Sequence, residues 1–304
     1  MTPDAYSQQQ ESLGHQLIDT VKSNKAARLL TLLARVADPN VFGEGWLVES
    51  LGLAARNDYA ECLRILLPLC PCLDARKGAL RLACGHRSLE SLRLLIPATD
   101  PAEEESYALC VAAQSGSVDC VRLLLPVSDP RADDSYPLRA AALRGHLECV
   151  KLLIPISDPL AENSEALRMA AKGGYIECVK LLIPVSNPLA GDSDALRMAA
   201  KNGHVECVRH LLCDAKNLLE LPDIFIEAIE SGRVDIISAL LSHEPLLIDM
   251  AIQRGLISEA LARANVDPGL YGDAAAVLSA VIEQRELSAA LGPKSFAPKV
   301  LQRL

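Results

Sequence analysis

One spacing, 29 residues, recurs in three unrelated residue types through the middle of this 304-residue chain. Cysteine, glycine and proline each keep the spacing over three or four successive intervals. The positions are Cys120, Cys149, Cys178 and Cys207; Gly116, Gly145, Gly174, Gly203 and Gly232; and Pro68, Pro97, Pro126, Pro155 and Pro184. Because unrelated residue types do not share a period by chance, the chain is predicted to repeat one small unit, each stacked on the next.

One unit, residues 164–192, reads SEALRMAAKGGYIECVKLLIPVSNPLAGD and predicts two short helices. Ser164 is expected to cap the first helix, as are Ser106, Ser135 and Ser193 at the equivalent places. Gly174 is expected to end that helix in the left-handed conformation, and Pro184 to end the second helix. The apolar residues follow a helical spacing, so each pair has a face that stacking must bury.

The run ALRMAAKGGYIECVKLLI resembles the core of an ankyrin repeat, PLHxAAxxGHxEVVxLLL. The resemblance implies an all-α, ankyrin-like solenoid of stacked helix–turn–helix repeats. Two departures from the family pattern stand out. The period is shorter than the family's usual 33, which predicts shorter and less sheet-like fingers between units. The family's Thr-Pro-Leu-His is replaced by Glu165-Ala166-Leu167-Arg168, so its Thr–His hydrogen bond is not carried over.

The repeat frame predicts the domain organisation. Residues 1–264 form the array, with eight or nine helix pairs and the most regular stretch over 79–212. Residues 265–304 have a helical composition without a clear repeat, and are expected to cap the array or to form a separate element.

Composition narrows the class of protein. The formal net charge of −9 argues against nucleic-acid binding, and no apolar run is long enough to predict a membrane span. The N-terminal residues lack the pattern of a secretory signal. The recurring cysteines fall on the packed face, where a thiol behaves as a small apolar group. We therefore expect a cytoplasmic, monomeric protein with reduced thiols.

Two sets of chemically interesting residues have structural interpretations. Cys70, Cys72, Cys84 and His86 form a CxC…CxH pattern, but the frame puts the two halves at opposite ends of a helix, so no metal or other cofactor is expected. Acidic residues open the second helices and precede a basic residue by three positions, which suits helix capping and weak pairing.

Arginines recur at Arg81, Arg139, Arg168 and Arg197. They would either satisfy loop groups or form a groove for an anionic partner, and both interpretations stand.

The resemblance implies a binding surface on the concave face, at the two positions between each Ala-Ala pair and the turn. The candidate residues are Arg56, Asn57, His86, Gln114, Ser115, Leu143, Arg144, Lys172, Lys201 and Asn202, with Tyr107 and Tyr136 as aromatic anchors beside the loops. We call the first ten the predicted docking positions. They form a basic-to-neutral row, and the loops between units, among them Glu103, Glu104, Glu105, Asp133, Asp134, Glu162 and Asp192, form an acidic rim.

These features predict a non-catalytic scaffold or adaptor that binds a protein partner. An intracellular effector, or an inhibitor that occludes a partner's active site, fits the same surface. An enzyme is the rival class. The chain contains no phosphate-binding glycine loop, GxSxG or HExxH, so any activity would have to reside in residues 265–304.

Overall fold

Helix–turn–helix pairs follow one another in the computed structural model, which describes residues 3–36, 42–214, 221–259, 262 and 268–291. No strand occurs in those ranges, which confirms the all-α prediction. The helices are α1 (Pro3–Lys22), α2 (Ala26–Arg35), α3 (Glu44–Arg56), α4 (Ala60–Leu66), α5 (Leu73–His86), α6 (Leu89–Leu95), α7 (Glu103–Ser115), α8 (Val118–Leu124), α9 (Ala132–Leu143), α10 (Leu147–Leu153), α11 (Ala161–Gly173), α12 (Ile176–Leu182), α13 (Ala190–Asn202), α14 (Val205–Asp214), α15 (Leu221–Glu230), α16 (Val234–His243), α17 (Leu247–Gln253) and α18 (Pro268–Leu291).

The pair α11–α12 shows how the sequence makes one unit. Leu167, Ala170 and Ala171 are fully buried on one side of α11. Gly174 then takes a φ of +72° and ends the helix, as predicted, because glycine enters this left-handed region at little cost. The inner side of α12 consists of the buried residues Cys178, Val179 and Leu182. Pro184 lies in the short 3₁₀ turn Ile183–Val185 that follows.

The chain divides into two compact units, Met1–Asp158 and Pro159–Leu304. In the first unit, successive first helices α3, α5, α7 and α9 pack side by side, with each second helix against its own partner. In the second unit, α11 and α13 pack in the same way, and α15 and α17 follow. The buried alanine pairs of α3, α7, α9, α11 and α13 have almost no side chain, which allows close approach of neighbouring helices.

The C-terminal helix α18 belongs to the second unit. It contacts α16 and α17, and it buries Ala274, Ala275, Val277 and Leu278. The predicted boundary near residue 265 lies outside the described residues and stays a prediction. No helix within the described ranges combines the length and apolar character needed to cross a bilayer.

The prediction that the recurring serines cap their own helices is wrong for Ser135 and Ser164. Both side chains are buried, and both backbones have left-handed angles, with φ near +60°. The Ser135 hydroxyl accepts a hydrogen bond from the backbone N–H of Asp158 at 2.8 Å, and that of Ser164 from Asn187 at 2.9 Å. Each serine therefore holds the next loop along the chain in place.

The backbone around these serines explains their buried position. Residues 133–135, 162–164 and 191–193 all have left-handed angles, so a turn of the opposite hand opens α9, α11 and α13. This conformation costs on the order of 1–2 kcal/mol for each residue other than glycine. We infer that the contacts between successive loops offset this cost.

Candidate functional site

The predicted docking positions lie at the turn end of the first helices. Nine of the ten are exposed: Arg56, Asn57, His86, Gln114, Leu143, Arg144, Lys172, Lys201 and Asn202. The tenth, Ser115, is half-buried, and its hydroxyl lies 3.0 Å from the carbonyl oxygen of Cys84. The structure therefore places the set on the surface, with Ser115 partly engaged in linking α7 to α5.

Backbone carbonyl groups at these positions accept hydrogen bonds from the next repeat. His146 donates from Nε2 to the carbonyl oxygen of Gln114, and His204 donates from Nε2 to that of Lys172, both at 3.0 Å. Arg233 donates to the carbonyl oxygen of Lys201 at 3.1 Å. The carbonyl groups thus join successive repeats, whereas the side chains on the same residues extend outward.

At Asp58 and Arg87 the turn glycine is replaced by a residue that also links to the next repeat. Asp58 and Arg87 both have left-handed backbones. The Asp58 carboxylate accepts a hydrogen bond from the N–H of Ser91 at 2.7 Å, in the first turn of α6. The Arg87 guanidinium donates to the carbonyl oxygen of Ser115 at 2.6 Å. A link between repeats offsets the backbone strain in both cases.

The two predicted aromatic anchors differ in exposure. Tyr107 is 48% exposed, and the guanidinium carbon of Arg81 lies 5.8 Å from its ring centre. Tyr136 is half-buried, and Arg139 lies 5.1 Å from its ring centre. Both rings take part in cation–π contacts, and Tyr107 presents the larger free area.

Two members of the arginine row, Arg139 and Arg168, bind loop groups. Arg139 donates to the carbonyl oxygen of Asp133 at 2.7 Å, and Arg168 donates to that of Glu162 at 3.2 Å. Arg168 also binds the Asp194 carboxylate of the next repeat at 3.0 Å. For these two residues the structural interpretation is confirmed.

The sequence analysis did not predict one further row of residues on this face, at the position directly before each buried Ala-Ala or Ala-Cys pair. In the first unit the row includes Leu82, which is 40% exposed, and in the second it includes the half-buried Met169 and Met198. The signal that could have found it is the varied apolar residue directly before each Ala-Ala pair. The row adds an apolar component to the surface.

Only part of the acidic rim lies among the residues whose side chains the structure describes. Asp133, Asp134, Glu162 and Asp192 are exposed beside the loops. The side chains of Glu103, Glu104 and Glu105 lie outside the described residues. The acidic residues that open the second helices form the predicted pairs within their own helices, for example Glu177 with Lys180 at 2.8 Å.

Most of the cysteines are core residues. Within the described part of the chain, no three His, Cys, Asp or Glu side chains come together as a metal site would require. Cys70 and Cys72 precede α5, and Cys84 and His86 lie at its far end. Burial raises the pKa of Cys149, Cys178 and Cys207 to about 11, so these thiols are protonated near neutral pH.

The comparisons with known proteins place the chain in a family. A model of three consecutive ankyrin repeats matches four overlapping segments, residues 51–134, 80–163, 109–190 and 138–221, which together cover more than half of the sequence. The chain therefore belongs to the ankyrin repeat family. Membership indicates a scaffold for protein–protein interaction, a class whose members are generally not catalytic.

One solved structure that resembles the chain is the crystal structure of the ankyrin repeat domain of human ASB11. The two share 21% sequence identity with a TM-score of 0.48, over 54% of this chain and 83% of that one. A search of curated proteins gave no match.

Proposed function

We propose that the chain binds a protein partner through the exposed face of its first helices, which in ankyrin proteins is the concave face. The observation that supports this is that the backbone and the side chains have different roles at the docking positions. At Gln114, Lys172 and Lys201 the carbonyl groups hold neighbouring repeats together, while the side chains are exposed. Their side chains are therefore free to vary in chemistry without loss of the fold.

The first unit would supply the apolar part of the interface. Leu82, Tyr107 and Leu143 are 40%, 48% and 38% exposed on first helices. Apolar and aromatic side chains at the centre of an interface carry most of its binding energy. We expect these three residues to be the anchors of the first unit.

The second unit would supply a charged part. Lys172 and Lys201 occupy the positions equivalent to Leu143, and Glu165 and Asp194 occupy those equivalent to the tyrosines. Charged side chains of this kind affect partner choice and association rate more than affinity. The first unit is therefore expected to bind apolar groups of a partner, and the second unit charged groups.

Affinity capture with quantitative mass spectrometry tests this proposal on the full chain. The variants are Leu82→Glu/Leu143→Glu in the first unit and Lys172→Glu/Lys201→Glu in the second. We expect a protein captured by the unsubstituted chain to be lost with the first variant and reduced with the second. The matched control is Arg64→Glu/Arg209→Glu, on exposed positions of α4 and α14 whose side chains are 63% and 62% exposed.

The control must retain the partner, and all variants must keep the helical circular dichroism of the unsubstituted chain. Equal capture by all four proteins would move binding away from the first helices and overturn the proposal. Equal loss in the control would do the same, because it would show a response to charge and not to position.

We also propose that the protein works in a reducing compartment such as the cytoplasm. All ten cysteines, which lie within the described residues, are outside disulfides, and most are buried, with Cys213 exposed and Cys72 half-buried. A short pulse of iodoacetamide at pH 8 should modify Cys213 first and leave the buried row of Cys149, Cys178 and Cys207 intact. Disulfide-linked peptides in protein isolated with its thiols blocked would contradict this assignment.

A further inference from the structure

A cleft of about 340 Å³ opens between α13 and α15 in the second unit. It lies where two successive first helices pack less closely than α11 and α13 do. Its floor is apolar and consists of Ala200, Ile224 and Ala228, with Met198 beside them. A space of this size accommodates one large side chain or a short stretch of extended peptide.

The two walls of the cleft carry opposite charges. Arg197 and Lys201 come from α13, and Glu227 and Glu230 come from α15. One contact spans the cleft, between Arg197 Nη1 and Glu227 Oε1 at 3.7 Å. Because the four charges sum to zero, the cleft does not favour a polyanion such as nucleic acid.

Arg197 has fewer partners than the preceding member of its row. The Nε atoms of Arg168 and Arg197 are both buried without a hydrogen bond, so the difference lies in the terminal nitrogens. Arg168 uses them to bind the Glu162 carbonyl and the Asp194 carboxylate. Among the described residues, Arg197 has only its 3.7 Å contact with Glu227. Its guanidinium therefore retains donors for an incoming carboxylate.

A local break in the repeat explains this difference. Asp194 pairs with Arg168 of the preceding repeat, and Asp223 occupies the position equivalent to Asp194 one repeat later. Asp223, however, pairs with Arg254 at 3.8 Å instead of with Arg197. The carboxylate that would complete the row is thus directed elsewhere. Lys201, on the same wall, has no side-chain partner in the described parts of the chain.

We propose that this cleft binds a segment of a partner protein in which an apolar side chain lies between an acidic and a basic one. The acidic side chain binds Arg197 and Lys201, and the basic one binds Glu227 and Glu230. The apolar side chain covers Ile224 and the small residues of the floor. This inference rests on the proposed function, for which it supplies the recognition chemistry of the second unit.

Selection of phage-displayed random peptides on the full chain tests the proposal. The second bait is the charge-swapped variant Arg197→Glu/Lys201→Glu/Glu227→Arg/Glu230→Lys, which keeps the net charge and exchanges the charges of the two walls. The unsubstituted chain should enrich peptides with an acidic–apolar–basic order. A representative synthetic peptide should bind the swapped variant at least about tenfold more weakly. The same peptide with its acidic and basic residues exchanged should recover affinity for the swapped variant.

Recovery of affinity by reciprocal exchange cannot result from a folding defect, and unchanged circular dichroism of the variant provides a second check. Peptides that lack the charge pattern, or that bind both chains equally, would overturn the inference. If such peptides lose binding to Leu82→Glu/Leu143→Glu, the proposed function survives without this cleft. If no peptide is enriched by any bait, both fall. A concentration-dependent dimer abolished by the charge swap would replace the partner segment with a second copy of the chain.

Discussion

The two ends of each repeat are joined to their neighbours by different chemistry. At the loop end, three repeats share one link, a buried serine hydroxyl that accepts a backbone N–H of the next loop. At the turn end the links come from side chains of several types. The loop-end serines are Ser106, Ser135 and Ser164, and the turn-end residues are Asp58, Arg87, His146, His204 and Arg233.

The difference follows from burial. A serine such as Ser164 is 1% exposed and sits on a left-handed backbone, where only a small acceptor fits. The turn end is open to solvent, so any side chain of sufficient reach can bond to an exposed carbonyl. The loop end is therefore expected to hold the array rigid, while the turn end tolerates the sequence changes that a docking surface needs.

Substitution of a turn glycine should produce the largest effect. Gly174 has a φ of +72°, and a Cβ there would lie 2.4 Å from Nδ1 of His204. Gly174→Ala should therefore strain the backbone and displace the ring from the Lys172 carbonyl. We expect a loss of about 3 kcal/mol in the free energy of unfolding, measured with urea.

Gly203→Ala is the matched control. It has a similar left-handed φ of +79°, but its new Cβ would meet the flexible end of Arg233 at 2.5 Å. The loss should be about 1.5 kcal/mol, because a guanidinium moves aside more easily than a ring. Equal losses at the two positions would show that backbone strain alone governs the turn end.

Removal of one loop-end hydroxyl should rank second. In Ser164→Ala the N–H of Asn187 loses its 2.9 Å acceptor at a part-buried position, while the left-handed strain remains. We expect a loss of about 2 kcal/mol, within the range for removing one partner of a hydrogen bond in a folded protein.

The matched control is Ser242→Ala, whose exposed hydroxyl bonds to the Ser238 carbonyl within one helix. That change should stay within about 0.5 kcal/mol. If Ser164→Ala is equally mild, the loop end does not depend on its serines, and the comparison between the two ends fails.

Substitutions of Asp58 separate the contribution of the hydrogen bond at the turn end from that of backbone strain. Asp58→Ala removes the acceptor of the Ser91 N–H but keeps a non-glycine residue at a φ of +58°, so we expect a loss of about 1 kcal/mol. Asp58→Gly removes the same bond and relieves the strain. The glycine variant should therefore be close to neutral in urea unfolding. A glycine variant as unstable as the alanine variant would mean that strain contributes nothing at this turn.

The sequence predicted the fold because the period is a local signal that recurs. The packed residues, the left-handed turn glycine and the short second helix all follow from residues 164–192 read alone. The role of Ser164 was misassigned because capping is a local interaction, whereas its actual partner, Asn187, lies in the next loop. The two residues are 23 positions apart, and the local capping pattern around Ser164 contains no information on where that loop folds back.

The candidate surface was predictable in position more than in detail. The docking positions lie at the turn end and nine of the ten are exposed, as expected from the sequence, but the exposure of Leu82 was not predicted, because a helical apolar residue is usually assigned to the core. The cleft between α13 and α15 could not be predicted, because it depends on the spacing of two helices and on the pairing of Asp223 with Arg254. Neither is a property of the repeat pattern.

The smallest effect should come from the ion pairs along the second helices, although these contain some of the shortest polar contacts in the described residues. Lys151 lies 2.6 Å from Glu148, and Lys180 lies 2.8 Å from Glu177. Both pairs are largely exposed and lie within one helix, so water competes for each charge and no repeat is joined to another. Lys180→Ala should change the free energy of unfolding, measured with urea, by no more than about 0.5 kcal/mol, and by less at high salt. A loss of about 1 kcal/mol or more would show that contact length, and not the joining of repeats, determines how much each link contributes to the array.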